Sequence, residues 1–123
     1  MSLATFSKDE ISSCNLFYAY DKESNSFVVA SSDDTTHIQY ILQNPSVAGT
    51  VVLETKTVGK IQGVQFRGNF SVLDEKKLES LYFSKFPYAL AMNPKLWQIK
   101  ISYFKMTDNR LGFGKKLIWE EKS

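Results

Sequence analysis

The chain has 123 residues, with 15 basic and 13 acidic side chains and a formal net charge of +2. Its length suits one domain, residues 1–123, and nine Phe, six Tyr and two Trp exclude a disordered composition. The near-even charge balance argues against nucleic acid and anionic membrane as partners, which call for a clustered basic patch, and the single cysteine, Cys14, excludes an internal disulfide framework.

Residues 1–6 read as a short strand and residues 7–10 as a polar turn. Residues 15–20, NLFYAY, are aromatic-rich and strand-like. Residues 21–26 form a turn, and the apolar run 27–30 returns as the second arm of that hairpin. The stretch 31–45, SSDDTTHIQYILQNP, follows directly. Asp33, Asp34, Thr35 and Thr36 are helix-starting residues, because their side-chain oxygens can accept from the orphan N–H groups of a first turn. Ile38, Ile41 and Leu42 then share one helical face, and Asn44-Pro45 ends the helix. Strand end, hydroxyl-rich turn and helix N-terminus together form a candidate anion site, since free N–H groups and the helix dipole both favour negative charge. The plainer reading is a well-capped helix.

Residues 47–53 are a short apolar run, hence a buried strand. From Val64 to Val72 the alternation is clear: Val64, Phe66, Phe70 and Val72 point one way, and Gln65, Arg67, Asn69 and Ser71 the other. That polar face can line a groove or simply face water. Gly68 interrupts the apolar face, which predicts a bulge or a close neighbour. Asp74 can cap a second helix with Leu78, Leu81 and Tyr82 inside, stopped by Pro87. Trp97, Ile99, Ile101 and Tyr103 alternate with polar residues; apolar character then moves to Phe104 and Met106, a change of parity that one bulge explains. A turn over residues 107–110 leads to a last strand over 111–119. Six or seven strands and two helices, with strands mostly following strands, predict an antiparallel sheet closed into a barrel.

Little in the residues alone specifies a reaction. Gly112-Phe113-Gly114-Lys115-Lys116 has the wrong spacing for a phosphate loop and precedes a strand rather than a helix. Adjacent lysines on a final strand more simply guard an edge. Ser31, Ser32 and Cys14 have no evident activating partner. His37 in a first helical turn can titrate or hold a phosphate, and equally can sit at the surface. With one histidine and one cysteine, no metal site is expected. No run approaches the ~18 apolar residues of a membrane span, and no signal peptide is evident, so a cytoplasmic protein is expected.

Three motifs in order carry a family resemblance. They are HIQ at 37–39 with NPSVAGT at 44–50, QGVQFRG at 62–68, and the closing TDNRLGFGKKLIW at 107–119. Together they resemble the small YhbP-type family, which belongs with the FMN-binding split barrels related to pyridoxamine 5′-phosphate oxidase. The resemblance implies a mainly β (α+β) fold: a six-stranded antiparallel split β-barrel with two flanking helices. It implies a homodimer with two FMN molecules at its interface, acting as an oxidoreductase on an unspecified small molecule. By the same resemblance, Ser31, Ser32, Thr35, Thr36 and His37 surround the FMN phosphate, the two basic positions of the oxidase relatives falling on Thr36 and His37. The strand that carries basic residues to the flavin corresponds to residues 13–18, which hold no Arg or Lys. Gly63 lets a strand approach the flavin ring, Tyr18 offers a ring and a hydroxyl, and Lys115 and Trp119 reach it from the second subunit. The alternatives are a flavin-free dimer with a non-enzymatic binding role and a haem-binding relative.

Overall fold

The computed structural model describes residues 1–53, 55–60, 62–112 and 114–121. Among these, the strands are β1 (Ser2–Ser7), β2 (Glu10–Asn15), β3 (Tyr18–Asp21), β4 (Ser26–Ala30), β5 (Ser46–Val52), β6 (Gln62–Val72), β7 (Leu96–Asp108) and β8 (Lys116–Glu120). The helices are α1 (Thr36–Gln43) and α2 (Lys76–Lys85). All pairings are antiparallel. The strand order is β2-β1-β5-β6-β7-β4-β3, with β8 also on β7. The sheet therefore has eight strands, not the expected six or seven.

Two of the differences lie at the ends of the chain. The turn after β1 is only Lys8-Asp9, both left-handed with φ 50° and 63°, the conformation whose twist fits a two-residue hairpin. It returns the chain into β2, so the aromatic run 15–20 is broken between β2 and β3 rather than being one strand. At the break, Leu16 N donates to the Met1 carbonyl at 3.0 Å. The last strand begins at Lys116, because the Asn109–Leu111 stretch forms a 3-10 turn and Asp108 N donates to the Lys115 carbonyl.

The parity change in β7 is a bulge. Arg67 faces Tyr103 while its neighbour Gly68 faces Ile101, leaving Ser102 as the extra residue. Gly68 is required there: a Cβ would press into the Lys100 carbonyl oxygen and come within 3.1 Å of Ile99 Cγ2. The bulge also divides β7 by neighbour. With β6 on one edge throughout, the other edge pairs with β4 before it and with β8 after it. The barrel splits at that point.

Two apolar cores follow from the alternation. Leu3, Phe27, Val29, Ile38, Phe66, Phe70, Trp97 and Ile99 fill the barrel. The Phe27 and Phe66 rings meet at 4.8 Å. Helix α1 closes the barrel with Ile38 and Ile41. Its inner face turns toward His37 rather than Leu42, which is 63% exposed. Val72, expected inside, is also exposed. The second core lies on the outer face of β3 and β4, where Leu78 and Tyr82 of α2 cover Ala19, Val28 and Leu96. The cap of α2 is Glu75 rather than Asp74, with no side-chain hydrogen bond. Among the described residues no helix is long and apolar enough to cross a membrane.

Candidate functional site

The segment between β4 and α1 is pinned to β7 from both sides. Ser31 N donates to the Lys95 carbonyl at 3.1 Å, and Trp97 Nε1 donates to the Ser31 carbonyl at 3.0 Å. Thr35 is the helix cap: its Oγ1 accepts from Ile38 N at 3.4 Å and donates to the Ser32 carbonyl at 2.9 Å. Asp33 and Asp34 are therefore not the cap. The Asp33 carbonyl instead accepts from Gln39 Nε2 at 2.7 Å, and its carboxylate pairs with Lys95.

His37 is not a surface residue. It is 8% exposed, its Nε2 hydrogen-bonded to Ser31 Oγ, with Thr35 Oγ1 at 3.4 Å from the same nitrogen. Desolvation pushes its pKa below the ordinary 6.5, so the fold favours its neutral form. The unfolded chain then binds a proton more readily, and stability is lost as pH falls from the ordinary value through the lowered folded one. As pH falls below the ordinary histidine value, we expect a steeper loss of stability in the wild type than in His37→Gln, measured by urea unfolding. Parallel curves would remove His37 as the source of that acid sensitivity.

The structure thus brings Ser31, Thr35 and His37 into one bonded cluster, with Ser32 and Thr36 at its exposed side. The first-turn amides of Thr36 and His37 have no acceptor within a helix. With the Thr35 hydroxyl donated to the Ser32 carbonyl and Ser31 Oγ bonded to His37, the exposed Ser32 and Thr36 hydroxyls and the first-turn amides are the donors that the helix start can offer a phosphate ester. The remaining predicted residues lie elsewhere. Tyr18 is opposite Val29 in β3, two residues before Ser31 on the adjoining strand. Its ring stands edge-on to Phe27 at 5.3 Å, with Lys85 Nζ 4.4 Å from its centroid. Tyr18 also borders a groove of about 430 Å³ with Met1, Asn15, Phe17, Thr50 and Val52. Gly63 pairs with that same Val52 in regular register, and a Cβ on it would meet nothing closer than 3.7 Å. Packing therefore does not demand a glycine there. Lys115 and Trp119 sit at the β7–β8 end, Lys115 exposed in the turn and Trp119 opposite Phe104 with 45% exposure. The polar face of β6 does line grooves: Gln65 and Arg67 border one of about 560 Å³, and Arg67 caps the Tyr103 ring at 4.2 Å.

Lys95 is the residue that sequence reasoning missed. It precedes β7 and reaches the turn only through the pairing of Ala30 with Leu96. Among the described residues no group of three His, Cys, Asp or Glu side chains is placed to hold a metal.

No family model matches the chain. A Nostoc punctiforme protein described as pyridoxamine 5′-phosphate oxidase-related and FMN-binding superposes with TM-score 0.66 at 11% identity, covering 98% of this chain and 80% of its own. A haem-binding protein from Mycobacterium smegmatis superposes with TM-score 0.76 at 13% identity, covering 97% of this chain and 51% of its own. At such identities the likeness is one of fold: a mainly antiparallel split barrel with two helices. A UPF0306 protein of Cronobacter sakazakii is 44% identical over 108 residues, 85% of this chain and 75% of that protein. An identity of that size over most of both chains decides the relationship, and this chain belongs to the UPF0306 protein family.

Proposed function

We propose that this protein is an FMN-binding flavoprotein, a homodimer that holds FMN between its subunits and uses it in oxidation–reduction of a small molecule. The supporting observation is the Ser31–His37 turn. It offers hydroxyls and first-turn amides at a helix start, in a chain that superposes along nearly its whole length on an FMN-binding protein. In this reading Ser31, Ser32, Thr35, Thr36 and His37 surround the phosphate. Tyr18 and Gly63 face the ring, and Lys115 and Trp119 come from the partner subunit. Bound FMN would supply hydride or electron transfer; the chain's own part is to hold the phosphate and exclude water from one ring face.

Exposed apolar side chains support the dimer. Leu117, Ile118 and Trp119 of β8, and Val52 and Leu53 at the end of β5, are large apolar side chains left exposed in the single chain, the kind of surface that a second subunit would cover. A flavin-free dimer is the second reading, favoured by Asp33 and Asp34, whose carboxylates stand beside the turn and repel an anion. A haem reading needs an axial ligand, and His37, the one histidine, already spends Nε2 on Ser31.

The test is absorbance and sedimentation of the purified protein, before and after addition of FMN. A yellow dimer is expected. A colourless preparation that takes up no added FMN would overturn the flavin reading in favour of the flavin-free one, and a monomer at micromolar concentration would rule out a shared site.

A further inference from the structure

The donors around the Ser31–His37 turn are neutral. Hydroxyls and amides can hold a phosphate, but contacts to a charged partner are about twice as strong. Among the described residues, Lys95 is the cation in ion-pair contact with the turn. Lys95 Nζ lies 2.9 Å from Asp33 Oδ1. It also stands 4.8 Å from the centroid of the Trp97 ring, the ring whose Nε1 holds the Ser31 carbonyl. The Lys95 carbonyl accepts from Ser31 N. The base of the lysine is therefore fixed by the same hydrogen bonds that fix the turn, while its amino group is free to move on a long stem. The ion pair itself is exposed, 43% on Lys95 and 62% on Asp33. A pair so open to water is worth little and exchanges partners readily.

We propose that Lys95 supplies the positive charge for the cofactor phosphate, and that in the free protein the Asp33 carboxylate occupies that charge in the phosphate's place. The proposal rests on the FMN reading above. It assigns opposite effects to the two partners of one ion pair. Lys95 attracts the dianion. Asp33 competes for the lysine and repels the incoming phosphate, so FMN must displace a carboxylate before it gains its strongest contact. Asp34 adds to that repulsion without holding a cation among the described residues.

The experiment titrates the full-length protein with FMN and with riboflavin, which lacks the phosphate, following flavin fluorescence. Lys95→Met should weaken FMN by about ten- to hundredfold, the range for loss of a hydrogen bond to a charged group, and leave riboflavin unchanged. Lys95→Arg should keep most of the FMN affinity. Asp33→Asn should tighten FMN and leave riboflavin alone. Equal weakening of both flavins by Lys95→Met would mean a structural role and would overturn the assignment. So would wild-type binding of FMN that neither substitution moves. Wild-type protein that binds neither flavin would overturn the FMN reading and the assignment with it.

Discussion

Trp97→Ala should remove a large share of the molecule's stability. Trp97 is 1% exposed and packs against Phe70 at 5.5 Å in the barrel core. Truncating a buried tryptophan costs about 3–5 kcal/mol, against a total stability of roughly 5–15 kcal/mol for a domain. The loss has two parts, and Trp97→Phe separates them. Phenylalanine keeps much of the apolar volume but leaves the part-buried Ser31 carbonyl without its indole donor, a cost of at most about 1–3 kcal/mol, the range for a fully buried orphaned acceptor. Urea midpoints should fall in the order wild type, Phe, Ala, with unchanged slope where the variants still fold cooperatively. A Phe variant as stable as wild type would show that water replaces the indole N–H, and that the turn is held by the Ser31–Lys95 backbone bond alone.

Leu78→Ala should detach one layer rather than dissolve the whole. Leu78 is buried between α2 and the outer face of β3 and β4, in the second core with Ala19, Val28, Tyr82 and Leu96. The expected cost is about 2–5 kcal/mol. Leu42→Ala, on the exposed side of α1, should stay within about 0.5 kcal/mol of wild type. Because the α2 core is separate from the barrel core, hydrogen exchange in Leu78→Ala should quicken in α2 and β3 before it quickens in β6 and the first half of β7. Uniform acceleration across all strands would mean that the two cores unfold as one unit.

Much of the fold was legible because its central strands are half-buried. Phe66 and Phe70 on β6, and Trp97, Ile99 and Ile101 on β7, alternate with period two, and the slip at Phe104 lies two residues from the bulge at Ser102. β2 was not legible. Glu10–Asn15 carries Ile11 outward and Cys14 half-buried, so its strand state comes from its pairing with β1 rather than from its own pattern. The face of α1 was misjudged for a related reason. Periodicity favours Leu42 over a histidine, but the hydrogen bond between His37 Nε2 and Ser31 Oγ satisfies that ring nitrogen and lets the imidazole turn inward. The candidate site was legible only as its local half. Ser31 through His37 are neighbours in sequence, whereas Lys95 and Trp97 meet them across more than sixty positions, a proximity that strand register alone creates.

That register has a kinetic consequence. The β1–β2, β3–β4 and β7–β8 hairpins join near neighbours and can form early. The β4–β7 pairing must bring Ala30 to Leu96, and long-range pairings of this kind are slow because chain closure comes before any contact repays it. Both backbone groups of Ser31 are held by residues that this pairing delivers, Lys95 and Trp97. The turn at the head of α1 therefore takes its final shape only once β4 has paired with β7. A ligand held there cannot nucleate the barrel. One that bound there would act by mass action on the paired state, as a latch on a seam that the strands themselves have made.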